Sequence, residues 1–348
     1  MQPVAGPDRS RHARAPKDRG LPDCDREASP SRGACGGRVT YDCPIARPTH
    51  RSRQAARAAI DLMLAPVERA LDRRRGRTSV TDNGAYPRLC DLAASEPAVC
   101  ASFKRHPDYT PVLEHVTPDE GAEYLGITLA QTPSFAALLD RFRENDRLGT
   151  PHVSDYGSHG SFSPTTLRYV KVMSDLVKLF GSLDGFRIIE IGCGYGGQCF
   201  TVHVASKPRA YTLVDLEPCL RLQEVYLAEL GVPTVSFVPP ERVVDDATYD
   251  LVISNYAFSE CTRDVQDEYL EGVLRNAKRG YLTCNWIAPR HFHSLSPDDL
   301  LAAVPGSRLL PETPTTAPDN RIWVWGDDGG SPPTGQAAPV EVVREPRS

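Results

Sequence analysis

Six small or acidic positions between 190 and 215 are spaced to hold a nucleotide-like ligand. The run Arg187-Ile-Ile-Glu-Ile-Gly-Cys-Gly-Tyr-Gly-Gly197 is an apolar strand that ends in a carboxylate and opens into a glycine-rich turn. Residues without Cβ let backbone amides come close to such a ligand. Gly192, Gly194 and Gly197 also satisfy G-x-G-x-x-G, so the glycines, with Gly196, do not by themselves separate a nicotinamide dinucleotide from other cofactors. Two acids narrow the reading. Glu190 stands two residues before the first glycine, where it could meet the ammonium of a bound amino acid. Asp215 closes the next apolar stretch, Tyr211-Thr-Leu-Val-Asp215, where it could accept both ribose hydroxyls. An amino acid joined to a ribose describes S-adenosylmethionine better than a nicotinamide dinucleotide. The competing reading is a tight strand-to-helix turn that binds nothing, with Asp215 a solvent-facing acid.

A third region, Tyr249-Asp-Leu-Val-Ile-Ser-Asn-Tyr-Ala-Phe-Ser-Glu260, puts polar groups at the end of another apolar strand. In a sheet of this kind the segment after the fourth strand runs under the donor and faces the acceptor. Asn255, Tyr256, Ser259 and Glu260 would then line the site. Against this, Tyr256 and Phe258 could be core aromatics and Glu260 a helix-capping acid.

The elements that must position these groups follow from periodicity. Ser163-Pro164 reads as an N-cap with proline at the first helical position. The helix Thr165–Phe180 carries Leu167, Val170, Met173, Leu176, Val177 and Phe180 on one broad face, and Gly181 ends it. Beyond it the chain alternates as a doubly wound sheet does. Strands are expected at 186–191, 210–215, 235–238, 249–254, 280–286 and 321–325. Helices are expected at 197–204, 217–230, 265–277 and 297–304. Right-handed crossovers put the carboxyl ends of the strands, with Gly192, Asp215 and Asn255, on one edge. The expected fold is therefore α/β, a Rossmann-like sheet with helices on both faces. It is preceded by a small helical region over 51–150 that forms an acceptor pocket or lid. Within that region, 97–103 and 134–142 show helical spacing, and Tyr109, Leu113, Tyr124 and Leu125 are candidate core. The cofactor-binding domain is expected over 151–326. A basic leader over 1–50 and a Gly/Pro-rich tail over 327–348 have the composition of disordered segments.

Four blocks give a specific likeness: Ser163-Pro-Thr-Thr-Leu-Arg-Tyr169, Glu190-Ile-Gly-Cys-Gly-Tyr-Gly-Gly-Gln198, Tyr211-Thr-Leu-Val-Asp-Leu216 and Leu251-Val-Ile-Ser-Asn-Tyr-Ala-Phe-Ser-Glu260. With Arg279-Gly-Tyr-Leu282 and the closing Trp-Val-Trp segment, residues 145–326 resemble the sugar O-methyltransferase family associated with glycosylated natural products. Cys193 departs from the glycine expected there. The resemblance implies a class I methyltransferase sheet, S-adenosylmethionine as methyl donor, and a sugar hydroxyl on a small molecule as acceptor. It says nothing about residues 1–80.

Methyl transfer is an in-line displacement on an already activated donor, so the protein supplies alignment and a place for the hydroxyl proton. A sugar alcohol is a poor nucleophile at neutral pH, which calls for a general base or a metal. Candidate bases are Glu260, His159 and His152, the histidines lying in the loop Pro151-His-Val-Ser-Asp-Tyr-Gly-Ser-His-Gly160, together with His291 and His293 after the fifth strand. His291-Phe-His293 lacks a nearby acid cluster, so no metal is expected. A non-sugar acceptor at oxygen, nitrogen or carbon, or a non-catalytic cofactor-binding protein, would use the same donor residues.

Composition bounds the rest. Residues 1–80 hold 17 Arg/Lys against 9 Asp/Glu, and the remainder 23 against 36, within an overall charge of -5. The arginines are interleaved with Asp, Pro, Gly and Ala and almost no aromatics, which favours a solvated segment over a nucleic-acid arm. Met63 leaves open a start inside this segment, with residues 1–62 then outside the native chain. No apolar run of about 18 residues could span a bilayer, and no signal-peptide core precedes the fold. The ten cysteines form no C-x-x-C pair, which is consistent with reduced thiols and a cytoplasmic location. Oligomeric state is not legible.

Overall fold

The computed structural model describes residues 76–233, 235–243 and 248–327. All of them belong to one unit, 55–348. The leader over 1–50, the helical pattern over 52–75 and the tail after 327 lie outside the described residues.

A helical segment comes first: α1 (Ala85–Ser95), α2 (Pro97–Cys100), α3 (Pro118–Gln131) and α4 (Leu139–Arg143). A small hairpin, β1 (Ser154–Asp155) with β2 (Ser161–Phe162), leads into α5 (Pro164–Phe180). Then follow β3 (Arg187–Ile191), α6 (Gly197–Ala205), β4 (Ala210–Val214), α7 (Glu217–Glu229), β5 (Val235–Val238), β6 (Leu251–Asn255) and α8 (Arg263–Gly272). The last elements are β7 (Gly280–Cys284), α9 (Pro297–Ala303), β8 (Arg308–Pro311) and β9 (Arg321–Trp325).

Strands β3 to β9 form one sheet in the order β5-β4-β3-β6-β7-β9-β8. The first five are parallel, while β9 runs antiparallel to both β7 and β8. This is a Rossmann-like α/β sheet with helices on both faces. The strand order reverses at β3, between β4 and β6. The crevice outside the carboxyl ends of these strands is where such sheets bind ligands.

Period-two alternation feeds two cores. Ile188, Leu213, Leu251 and Ile253 point into the core shared with α1, α3, α5, α6 and α7. Ile189, Ile191, Val214, Val252 and Leu282 point into the other, against α8 and α9. The helical segment has no separate core, because Tyr109, Tyr124 and Phe142 join the first of these two.

Helix α5 is buried along most of its length. Leu167, Val170, Met173 and Leu176 are each at most 1% exposed. At roughly 1.5–3 kcal/mol for each large aliphatic side chain, they give this helix about 6–12 kcal/mol of gross burial. Ser163 occupies the N-cap position, but its side chain does not cap. Asp146, from the loop before the hairpin, accepts the Ser163 amide at 2.8 Å and the Thr166 hydroxyl at 2.6 Å. A carboxylate there also complements the positive end of the helix. The Ser163 hydroxyl donates to Glu114 instead, at 3.3 Å.

Several boundaries depart from the sequence reading. Strand β4 stops at Val214, which leaves Asp215 free of the ladder, and β7 stops at Cys284. The strand expected from 249 starts at Leu251 and runs through Asn255, with Tyr249 in an isolated bridge to Ala277. Helix α8 runs from Arg263 to Gly272 rather than 265–277; the helix-weakening Gly272 gives way to a 3₁₀ turn over Leu274–Asn276. The expected helices over 97–103 and 134–142 are each split into a short α-helix and a 3₁₀ turn. Strand β8 has no counterpart in the sequence reading: three half-exposed residues and an exposed proline carry little strand signal, and only a sheet edge tolerates them.

Candidate functional site

Gly192 turns the chain out of β3 with φ +71°, and a Cβ there would lie 2.0 Å from the Ala257 Cβ. The glycine is therefore required twice, by its left-handed backbone and by the close approach of the segment after β6. Gly194 is also left-handed (φ +58°), and a Cβ on it would meet Leu113 at 2.6 Å. Gly196 occupies the N-cap position of α6 and Gly197 is its first residue, packed beneath the Tyr169 ring.

The turn is also held from below. Tyr195 is fully buried, and its hydroxyl accepts from Asn145 Nδ2 at 3.1 Å. The Lys104 ammonium, also fully buried, lies 4.1 Å from the Tyr195 ring centre and donates to the Asn145 carbonyl and the Tyr226 hydroxyl. Burial pulls the Lys104 pKa down, while the charges of Glu114 and Asp146 work against that shift. The helical segment and the glycine turn are thus packed as one piece.

Asp215 sits just past β4, half-buried. Its Oδ2 accepts from the Cys193 amide (2.8 Å) and Gln223 Nε2 (2.9 Å), and its Oδ1 accepts from the Leu216 amide (2.8 Å). Burial pushes its carboxyl up to about 6 against the pull of these donors. Glu190 lies deeper, 2% exposed, with Oε2 accepting the Tyr211 hydroxyl at 2.7 Å. Burial raises it to about 8, the Tyr211 bond opposes the rise, and the Asp215 charge adds to it. At neutral pH this carboxyl is mostly protonated. It lies beneath the turn, not at the open edge.

Asn255 ends β6 at the same edge. Both amide atoms, Nδ2 and Oδ1, are buried without a hydrogen-bond partner. Each such atom costs about 1–3 kcal/mol when left unmet. Asn255 and Tyr256 line a narrow cleft of about 20 Å³, together with Tyr124, Arg168, Thr283 and Glu312. Tyr256 adopts φ +70°, a strained conformation for a bulky residue. Its hydroxyl donates to Glu312, which also accepts from the Thr316 amide, the Thr316 hydroxyl and Asn320.

None of the candidate bases lines that cleft. Glu260, largely buried, closes the 3₁₀ turn after β6, and its Oε1 accepts from Asn285 Nδ2 at 2.7 Å. Burial raises its pKa and the Asn285 bond opposes the rise. His152 is exposed on the loop before the hairpin. His159 is half-buried in the hairpin turn, where Arg143 holds its carbonyl at 2.9 Å. His291 packs edge-on against Phe292. His293 is exposed with φ +53°, beside a second cleft with Ser259, Trp286 and Pro289. The structure thus gathers Gly192, Gly194, Gly196, Gly197, Asp215 and Asn255 around the crevice with Glu190 below. It binds none of the histidines to that group. Among the described residues, no cluster of three or more His, Cys, Asp or Glu side chains is arranged to hold a metal, the seven cysteines are free, and no helix is long and apolar enough to cross a membrane.

Sequence reasoning missed Arg168, Lys171, Tyr124, Thr283 and Glu312 in the cleft, and Tyr211 and Gln223 as partners of the two acids. One signal was available: Arg168, Lys171 and Asp175 recur at spacings of three and four within the apolar helix α5. Such a polar stripe, buried on a helix, marks a site or an internal ion pair.

S-adenosylmethionine fits this crevice by three features. The glycine turn brings backbone close, an acid stands at the end of the adjacent strand, and the Asn255 amide lacks partners on both atoms. No family model matches the chain, and no curated protein matches it. Solved structures with similar folds include TrmN from Thermus thermophilus, 18% identical over 45% of this chain and 48% of that one, with a TM-score of 0.33. PigF, solved with SAH, is 15% identical over 40% of this chain and 50% of that one, at 0.32. The complex of the Haloferax volcanii Trm112 methyltransferase activator gives a match 13% identical over 44% of this chain and 87% of that one, at 0.33. The chain spans about half the length of TrmN and of PigF.

Proposed function

We propose that this chain is an S-adenosylmethionine-dependent O-methyltransferase acting on a hydroxyl of a sugar, carried on a glycosylated small molecule. The observation that carries the donor half is the Asn255 amide, buried and unpartnered on both atoms at the switch point of the sheet. The bound donor supplies an activated methyl group. In this reading the turn Gly192–Gly197 admits it, Asp215 receives the ribose hydroxyls, Asn255 hydrogen-bonds it, and Glu190 answers its ammonium from below.

The acceptor half rests on the resemblance of residues 145–326 and on the chemistry of the cleft. Tyr124 and Tyr256 offer aromatic walls, while Thr283, Glu312 and Arg168 offer hydrogen-bonding groups. That combination suits the hydroxylated edge of a ring presented at the mouth of this narrow cleft. The helical segment supplies Tyr124 to this wall. Among the candidate bases Glu260 is favoured over His159 and His152, because it closes the turn that follows Asn255 and burial raises its pKa.

Calorimetry with S-adenosylhomocysteine tests the donor site. Wild type should bind and Asp215→Ala should bind at least about tenfold more weakly, the loss of hydrogen bonds to a charged group. Equal binding by both sinks the site assigned here. Turnover on a panel of glycosylated and aglycone acceptors, read as methyl addition by mass spectrometry, tests the sugar reading. Methylation of the aglycones alone refutes it.

A further inference from the structure

Arg168 lies in the middle of the cleft wall and is 7% exposed. Its Nε is buried without a hydrogen-bond partner, and Nη2 makes one long bond, 3.4 Å, to the Leu113 carbonyl. The guanidinium carbon lies 5.7 and 5.9 Å from the centres of the Tyr169 and Tyr256 rings. Among the described residues no carboxylate lies within ion-pairing distance of it. Glu312 has both oxygens engaged, by Tyr256 on one side and by Thr316 and Asn320 on the other. Glu114 spends Oε2 on Ser163, while its Oε1 is buried without a partner. Lys171, the other cation of the cleft, is neutralised by Asp175 at 2.6 Å. A buried guanidinium with an unpartnered Nε, supported by the Glu114 charge but by no direct ion pair, gains from a ligand that completes it.

From this geometry we propose that the cleft between α3, α5, β6 and β7 is a carboxylate-binding site, with Arg168 as its anchor and the idle Asn255 amide as a second donor. A planar guanidinium edge matches a carboxylate by paired N–H···O bonds, which a lone hydroxyl does not provide. The site itself stands on the unpartnered groups; the source of its carboxylate rests on the methyltransferase reading. Two sources share this chemistry: the amino-acid end of the methyl donor, or an acid group on the acceptor sugar. The first is within reach because Tyr169, next to Arg168, packs on Gly197 of the cofactor turn.

Calorimetry separates them with four probes on wild type, Arg168→Gln and Arg168→Lys. S-adenosylhomocysteine has the carboxylate and 5′-methylthioadenosine lacks the amino-acid end. Glucuronate and glucose, titrated into the full chain with and without S-adenosylhomocysteine, differ at the acid group. If the donor supplies the carboxylate, Arg168→Gln weakens S-adenosylhomocysteine by about tenfold or more and leaves 5′-methylthioadenosine unchanged. If the acceptor supplies it, wild type prefers glucuronate to glucose and Arg168→Gln erases that preference. Arg168→Lys, which keeps the charge and loses the fork, should fall between. An S-adenosylhomocysteine affinity that ignores Arg168, together with equal binding of glucuronate and glucose, overturns the proposal. Should Arg168→Gln not fold, Arg168→Lys carries the donor arm and the wild-type contrast of glucuronate with glucose carries the acceptor arm. Failure of wild type to bind S-adenosylhomocysteine at all counts against the methyltransferase reading, and the glucuronate arm then still tests the site.

Discussion

Glu190 couples donor binding to pH. Its carboxyl is held at about 8 by burial, with one hydrogen bond from Tyr211 opposing the rise. In the free protein at pH 7 about nine in ten copies are therefore protonated. A neighbouring ammonium lowers a carboxyl pKa by about 1–3 units. If the donor's ammonium meets Glu190, the complex holds it at about 5–7, and binding at pH 7 releases about 0.4–0.9 proton. The sign is fixed by this order of pKa values: the liganded state binds fewer protons, so affinity rises with pH. Between pH 6 and 8 the Kd for S-adenosylhomocysteine should fall about 5- to 50-fold. Asp215, raised to about 6, contributes only about a factor of two at the acid end. Titrations at pH 7 in phosphate and in Tris, which differ in ionisation enthalpy, read the proton count directly. Glu190→Gln should abolish the buffer dependence and flatten the pH profile. A wild-type profile flat from pH 6 to 8, or a buffer dependence that survives in Glu190→Gln, refutes the ammonium role and leaves Glu190 as a support for the turn.

Stability should report the same residue with the opposite sense. A carboxyl raised in the folded state contributes stability below its unfolded value that is lost as pH rises toward about 8. Glu190→Gln should therefore gain on wild type by about 3 kcal/mol between pH 5 and pH 8 in denaturant titrations; a pH-independent difference contradicts the raised pKa. At the start of α5, Asp146→Ala should lose about 1–3 kcal/mol, because it strands the Ser163 amide and Thr166 hydroxyl. Ser163→Ala should lose less than about 0.5 kcal/mol, and the reverse ranking would restore the serine cap. Gly192→Ala should lose more than about 2 kcal/mol from its left-handed φ and its contact with Ala257. A stability change near zero, measured by thermal melting, would place the turn differently.

The sheet was legible because its signals are local. Each parallel strand is a short apolar run with a turn or a cap beside it, and alternation then decides which face each residue joins. The errors fall where a tertiary partner overrides the local pattern. Ser163 has the type and place of an N-cap, yet Asp146 takes that work from 17 positions away. Asp215 was read as the last residue of a strand, yet its carboxylate is claimed by the Cys193 and Leu216 amides and the ladder ends before it. Among the described residues strand β8 pairs with β9 alone, in an antiparallel register that no periodicity in four residues encodes.

The site was legible in proportion to how much of it is backbone. Gly192 and Gly194 announce themselves because a left-handed φ and a missing Cβ are properties of the residue type. Acids at strand ends can be placed from strand order alone. Their protonation cannot: Glu190 reads as a charge for an ammonium to find, and only the buried Tyr211 hydroxyl beside it shows that the charge is largely absent until something brings it out. Arg168 is the converse case. In the sequence it belongs to a polar stripe with Lys171 and Asp175, which does not separate a binding site from an internal ion pair. It becomes chemically unusual only when Tyr169, Tyr256 and Leu113 enclose it and none supplies a negative charge. The chemistry of the donor side is thus written in residue types, and that of the acceptor side in what those residues lack once folded.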